Sequence, residues 1–369
     1  MKVPFLDLRA GYLELKSEID AAVARVLDSG WYILGPETEA FEADYAAYCG
    51  AAECVGVANG LDALILSLRA LDIGPGDEVI VPANTFIATW LAVSAVGARL
   101  VPVEPDALSY NLDPGAVAAA VSENTKAIIA VHLYGQPADL DPLLELARAR
   151  GIALIEDAAQ AHGATYKGHR IGAHGDAVCW SFYPGKNLGA MGDAGAGTTD
   201  RADLAARIRS LRNYGSARKY VNDEPGVNSR LDPLQAAILG VKLKHLDAWT
   251  ERRRTIANRY IRELSGVTVP HVPNWAAPVW HLFVVRHPAR DALQNRLEAA
   301  GVATMVHYPI PPHLQQAYAE GGWEQGQFPL SEQMAGDMLT LPCGPHMSEA
   351  EVDFTISTLN GITEQMGAV

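Results

Sequence analysis

In ALIEDAAQAHGA (residues 153–164) and AVCWSFYPGKNLGAMGDAGAG (residues 177–197), two short apolar runs each end in residues able to do chemistry. A strand that is apolar almost without interruption belongs to a sheet covered on both faces, because neither face then meets water. The first run delivers Asp157 at its end, with Gln160 and His162 just beyond. The second delivers Ser181, Tyr183 and then Lys186 into a glycine-rich loop. If these strands are neighbours, an acid and an amine converge on one site.

Working outward, the same rhythm fills roughly residues 50 to 200. ECVGVAN, DEVIVPA, ARLVPVEP and KAIIAVHL read as further buried strands, and LDALILSLRALD, DPGAVAAAVS and DLDPLLELARARG as the helices between them. Asp113-Pro114 and Asp141-Pro142 have the form of an N-cap followed by a first-turn proline, and Gly151 stands where a C-cap belongs. Alternating β and α segments of this length predict an α/β fold with a mostly parallel, doubly wound sheet, and ligands gather beyond the carboxyl ends of such strands. After about residue 230 the rhythm changes to one long helix over 231–264, a strand in VWHLFVVRHP, a helix in DALQNRLEAAG, the HYPIPP turn and a last helix from about 349 to 361. A large domain over 1–240 and a smaller C-terminal α/β domain over 241–369 are expected, with the N-terminal helix able to pack on the smaller one. The Arg252–Arg254 run reads as the solvated face of the long helix.

Composition narrows the function. A chain of 369 residues, 49% hydrophobic and with a net charge of −14, has material for a large core and lacks the basic footprint of a nucleic-acid or membrane-surface binder. Cys49, Cys54, Cys179 and Cys343 form no CxxC pair and read as buried thiols of a reducing compartment. The N-terminus has no apolar signal core, and the most apolar stretch, TWLAVSAVGARLVPV, carries Arg99 and is too short to span a bilayer, so a cytoplasmic protein is expected. No metal-ligand spacing occurs, so no metal is expected.

An amine for a Schiff base and a carboxylate to keep a pyridine nitrogen protonated are what pyridoxal-phosphate (PLP) chemistry most needs from a protein. Asp and Lys at strand ends also occur as plain ion pairs, and spacing alone leaves both readings open. The Lys186 loop is not a Walker A motif, since Trp180 stands at the first glycine position and Asn187 follows the lysine. VANGLDAL lacks the dinucleotide pattern GxGxxG, which disfavours an NAD-linked sugar oxidoreductase. That segment can still cradle a phosphate, with the N–H groups of Gly60 and Leu61 facing an anion at a helix start, or it can be an ordinary strand-to-helix turn.

The runs EDAAQAHGA, SFYPGKNLGAMGD, ANGLDAL, NSRLDPLQAAIL and HYPIPPHLQ resemble the DegT/StrS family of PLP-dependent sugar aminotransferases, and the likeness extends from PFLDL to LPCGPHMS. The resemblance implies the aspartate-aminotransferase-like architecture (PLP fold type I), a mixed, mostly parallel central sheet flanked by helices. SGWYILGPE, NTFIATWLAVSAVGA, PVEPD, YNLDP and VHLYGQPADLDP further resemble the branch that converts dTDP-3-keto-6-deoxyhexoses to dTDP-3-amino-3,6-dideoxyhexoses. Carried onto this chain, the resemblance implies that Lys186 links to the cofactor and shuttles the proton, Asp157 pairs with the pyridine nitrogen, and Gln160 approaches the ring hydroxyl. Phe86 stacks on the ring, while Ser181 and the Asn59-Gly60-Leu61 turn hold the phosphate. Asn228 reaches the phosphate of the neighbouring subunit, making the active unit a homodimer. Tyr183, Lys219, Tyr220, Arg230, His307 and Tyr308 match positions lining the substrate site, and the segment from Arg212 to Arg230 offers cations for a diphosphate.

His162 is expected to be a hydrogen-bonded residue near the cofactor. Met191 and Ala194 stand where relatives tend to carry leucine and glycine. Retention of Lys186, which PLP-dependent sugar dehydratases of the same family replace with histidine, disfavours dehydration. L-Glutamate is the implied donor. The same chemistry at C4, or a non-catalytic PLP-binding regulator, are the alternatives.

Overall fold

The computed structural model describes residues 1–367. Seven strands form the central sheet: β1 Glu53–Val57, β2 Glu78–Pro82, β3 Arg99–Val103, β4 Thr125–Val131, β5 Ala153–Asp157, β6 Ala177–Ser181 and β7 Gly195–Thr199, in the order β1-β7-β6-β5-β4-β2-β3. β2 pairs in parallel with β3 and β4, β4 with β5, and β5 with β6; β7 runs antiparallel to β1 and β6. Successive side chains of a strand point to opposite faces. Val79, Val81, Ala127, Ile129, Ile155 and Cys179 therefore pack in one cluster, and Ile80, Ile128, Ala130, Leu154, Val178 and Trp180 in the other. Both faces are dry, which explains why the strands read as unbroken apolar runs.

β7 was not anticipated, because GAGTT reads as loop. Its glycines answer to packing: a Cβ on Gly195 would lie 2.3 Å from the carbonyl carbon of Asn59. Helices α1 Leu8–Glu14, α2 Lys16–Ser29 and α3 Pro36–Cys49 precede β1, and α4 Gly60–Ala70, α5 Ile87–Ala95, α6 Pro114–Ala120, α7 Leu140–Arg150 and α8 Ala202–Leu211 connect or follow the strands. Asp113 caps α6 as expected, its Oδ1 accepting from the Gly115 N–H, and Gly151 closes α7 at φ 65°. The N-cap of α7 is Asp139, not Asp141, which instead sits in the first turn where its charge suits the helix dipole.

The long helix expected over 231–264 is two helices, α9 Pro233–Leu243 and α10 Leu246–Glu263. The break follows from a change of partner. Ala236, Leu239 and Leu243 of α9 join the sheet's core, whereas Ile256, Ala257 and Tyr260 of α10 join a separate C-terminal core. That second core is completed by α11 Arg290–Ala300, the antiparallel pair β8 Phe283–Arg286 and β9 Met338–Leu341, and α13 Glu349–Gly367; α12 Pro329–Asp337 leads directly into β9.

Arg253 is buried, its Nη1 donating to the carbonyls of Trp280 and Cys343, so only part of the Arg252–Arg254 run is solvated. The N-terminal segment packs on the C-terminal core: Val3 bridges Val302, and Arg252 donates to Glu14 of α1. All four cysteines are free and buried. Among the described residues no helix is long and apolar enough to cross a membrane, and no three potential metal ligands come together.

Candidate active site

β5 and β6 lie side by side with Asp157 opposite Cys179, so Ser181 stands one step of the same face beyond it. By strand alternation Asp157, Cys179 and Ser181 share the face covered by α4 and α5. Asp157 is buried. Its Oδ2 accepts from Thr89 Oγ1 of α5 at 2.9 Å and its Oδ1 from the Ala159 N–H at 3.2 Å. Burial pushes its carboxyl above the ordinary aspartate range, although Thr89, Ala159 and the Lys186 charge all pull the other way. Burial likewise pulls the Lys186 amine down to about 8, against the field of Asp157. Among the described residues Asp157 has no ion pair.

At the other end of the site, Asn59 caps α4 by accepting from the Asp62 N–H at 2.9 Å. The N–H groups of Gly60 and Leu61 open the helix and have no intrahelical acceptor. A Cβ on Gly60 would lie 2.6 Å from Ser181 Cβ, so only glycine lets the helix start approach the end of β6 this closely. Ser181 Oγ accepts from the Tyr183 N–H, leaving its proton free to donate outward. A hydroxyl and two helix-start amides make an anion cradle. Gly60→Ala is expected to force the cradle open and weaken PLP binding about tenfold, read by fluorescence titration.

Gln160 is buried and used twice. Its Oε1 accepts from the Tyr134 N–H at 2.6 Å, and its Nε2 donates to Tyr308 Oη at 3.1 Å. Phe86, 50% exposed at the start of α5, lies 5.2 Å from the Tyr308 ring, so a flat slot is walled by aromatic carbon. His307 Nδ1 meets Thr340 Oγ1 at 2.8 Å, while burial and then the Lys186 charge lower its ring to about 4. Tyr183 is 57% exposed beside the Lys186 loop. Contacts link Gly60 to Ser181, Gln160 to Tyr308 and Phe86 to Tyr308, and the Lys186 charge reaches both Asp157 and His307, so these eight residues share one region. A buried carboxylate without a cation, an amine stripped of much of its proton affinity, an anion cradle and an aromatic slot fit the pyridine, aldehyde, phosphate and ring of PLP respectively.

The segment 212–230 behaves differently. Arg212 is buried against Glu42 and the Gly56 carbonyl, so it is structural and unavailable to a diphosphate. Lys219 leans over the Tyr220 ring, Tyr220 is 89% exposed, and Arg230 donates to Asn213 Oδ1. Asn228 is exposed, while its neighbour Ser229 ties the segment to Ala58 and Asp62. Among the described residues no hydrogen bond joins Lys219, Tyr220, Asn228 or Arg230 to Asp157, Lys186 or Ser181.

His162 differs from expectation. It packs on the opposite face, 5.3 Å from Trp180 and 5.6 Å from Phe182, with no side-chain hydrogen-bond partner among the described residues, and burial and then the Lys186 charge lower it to about 3. Three residues that touch the site escaped the sequence. Thr89 follows Phe86 by one helical turn, and that spacing was a usable signal. Tyr134 and His281, the latter meeting Asn187 Oδ1 at 3.2 Å, gave none.

Residues 13–360 match the DegT/DnrJ/EryC1/StrS aminotransferase family. The chain is 58% identical over 362 residues to the erythromycin biosynthesis sensory transduction protein EryC1 of Saccharopolyspora erythraea, covering 97% of this chain and 99% of that one. It is 53% identical over 360 residues to the dTDP-3-amino-3,6-dideoxy-alpha-D-galactopyranose transaminase of Aneurinibacillus thermoaerophilus, covering 97% and 99%. The crystal structure of S. venezuelae DesV in complex with a ketimine intermediate superposes with a TM-score of 0.97 at 52% identity, covering 98% of this chain and 99% of that chain. With the family matched along nearly its whole length and the fold shared with a solved relative, the chain belongs to the DegT/DnrJ/EryC1/StrS aminotransferase family.

Proposed function

We propose that this PLP-dependent aminotransferase moves the amino group of L-glutamate to C3 of a dTDP-linked 3-keto-6-deoxyhexose, giving a dTDP-3-amino-3,6-dideoxyhexose and 2-oxoglutarate. The convergence of the Lys186 amine and the buried Asp157 carboxylate carries the reading. The transaminase of A. thermoaerophilus, named for a dTDP-3-amino-3,6-dideoxyhexose, supports the substrate class. When bound, PLP supplies an aldehyde for the amine and a pyridinium ring that takes up the electron pair of a deprotonated carbon.

The chain's own groups do the rest. Lys186 Nζ, its basicity lowered by burial, takes the proton from one carbon and returns it to the other. Asp157 holds the far end of the ring by charge pairing, and a cation there offsets the burial that otherwise raises its carboxyl. Gln160 ties the Tyr134 loop to Tyr308, fixing the wall of the slot. Gly60, Leu61 and Ser181 anchor the phosphate, and Tyr183, His307 and Tyr308 border the sugar. An assay of dTDP- and GDP-linked 3-keto and 4-keto 6-deoxyhexoses, with glutamate as donor, is expected to yield 2-oxoglutarate with the dTDP-linked 3-keto sugar. Refusal of every 3-keto sugar while a 4-keto one turns over overturns the C3 assignment. Glutamate giving no 2-oxoglutarate with any of them favours a regulator, the role in the name of EryC1.

We further infer a homodimer with shared sites, a large unit over 1–240 and a small one over 241–369, in the cytoplasm. Tyr214, Tyr220 and Val227 expose apolar surface around Asn228, as a segment does when a second subunit covers it. Lys219, Tyr220, Asn228 and Arg230 then serve the partner's substrate and phosphate. Asn228→Asp would set a carboxylate against that phosphate. Mixed with Lys186→Ala protein, it is expected to regain roughly a quarter of wild-type activity, since half the random dimers hold one intact site. A mixture no more active than its parents excludes sharing.

A further inference from the structure

Asp157 must stay ionised in a buried place, and the residue that meets its outer oxygen is not an ion but a threonine. Thr89 is fully buried and Thr85 2% exposed. The two hydroxyl oxygens lie 3.0 Å apart, and Thr89 Oγ1 lies 2.9 Å from Asp157 Oδ2. A hydroxyl owns one proton. With an ionised Asp157 as acceptor, the Thr89 proton points to the carboxylate, so Thr85 must donate to Thr89. No other side-chain hydrogen bond of Thr85 occurs among the described residues, so its proton is free for this. The result is a one-way chain, Thr85 to Thr89 to Asp157, in which each bond polarises the next towards the negative charge.

We propose that Thr89, oriented by Thr85, is a positioning residue that keeps the Asp157 carboxylate charged and aimed at the ring nitrogen of the cofactor. The inference rests on the reading that Asp157 faces that nitrogen. The chain favours the charged form, because an ionised carboxylate is the stronger acceptor and a bond from Thr89 to it is charge-assisted. A hydroxyl donor suits this task better than a lysine or arginine would, because a cation there would compete with the pyridinium for the same carboxylate.

The test compares PLP with its carba analogue, which carries CH in place of the ring nitrogen, by titrating cofactor-stripped full-length protein. Wild type should prefer PLP. Thr89→Val keeps the shape and removes the hydroxyl, and should lose about tenfold of its PLP affinity while its affinity for the analogue moves less than about twofold. Thr89→Ser should restore the preference. Thr85→Val removes no hydrogen bond of Asp157 itself and should show the same selective loss at about threefold, so it decides the matter if Thr89→Val does not fold. Equal loss for both ligands means a merely structural threonine, and no loss for either means no role; each overturns the proposal. If wild type itself does not distinguish the two ligands, the assignment of Asp157 fails first, and this one with it.

Discussion

Lys186→Ala protein is expected to transaminate at least roughly 10⁴-fold more slowly than wild type and to retain no cofactor after borohydride treatment and denaturation. Two jobs are lost at once, since the same amine both links to the aldehyde and moves the proton. The other lysine whose basicity burial lowers is no substitute: Lys242, also near 8, donates from Nζ to the Gly189 carbonyl at 2.6 Å. Lys242→Ala should therefore leave the borohydride-stable link intact. The pH dependence gives a second check. Because burial brings Lys186 down from 10.5 to about 8, the neutral, nucleophilic amine becomes the majority form above that pH. Capture of PLP by stripped protein should accelerate as pH rises through about 8 and then level off, whereas an ordinary surface lysine would keep gaining towards 10.4. A profile still climbing at pH 10 would show an unperturbed amine and sink the assignment of Lys186.

What the sequence disclosed about this site was whatever lies in consecutive residues. β5 and β6 were legible because both faces of the sheet are dry, so Asp157, Ser181 and Lys186 could be set at strand ends; their adjacency was not, because the link over 158–176 holds no helix. The Gly60 cradle was legible as strand, Asn-Gly, helix. β7 was not, because GAGTT is shaped by the backbone of Asn59, 136 residues before Gly195, packing on it, and no local propensity encodes that. The break between α9 and α10 was hidden for a similar reason: helical periodicity continues through Lys244 and His245, and only the separation of two cores shows that the burial face changes. Arg212 was misjudged because a sequence displays its charge and not Glu42, 170 residues earlier, which neutralises it. For His162 the chain order gave nearness to Lys186 but not its packing against Trp180 and Phe182, where no side chain meets its ring nitrogens. Motif resemblance supplied Phe86, Gln160 and Tyr308, whose meeting depends on the C-terminal part of the chain folding back over β5.

Asp157→Asn protein is expected to hold PLP on Lys186, still trapped by borohydride, yet to lose about 10³-fold in kcat. The substitution keeps the shape and removes the charge, and with it one of the two acceptor contacts, since an amide has a single oxygen for the Thr89 hydroxyl and the Ala159 N–H. What disappears is the counterion that makes a protonated ring nitrogen stable in a buried place; without it the ring remains neutral and accepts the carbanion's electrons poorly. The cost should therefore fall on kcat more than on the KM for glutamate, because binding of the donor does not depend on the far end of the ring. Burial holds the native carboxyl above its ordinary range, so its charged form is less favoured than that of an exposed aspartate. A bound cation must bring it back down, and stripped protein should take up PLP more weakly as pH falls towards the raised pKa, a loss beyond the one Lys186 sets that Asp157→Asn removes. The two variants separate the roles: Lys186→Ala loses the covalent link and turnover together, whereas Asp157→Asn keeps the covalent link and loses turnover. Should Asp157→Asn turn over within about tenfold of wild type, the carboxylate does not face the ring nitrogen, and a different group must hold that end of the cofactor.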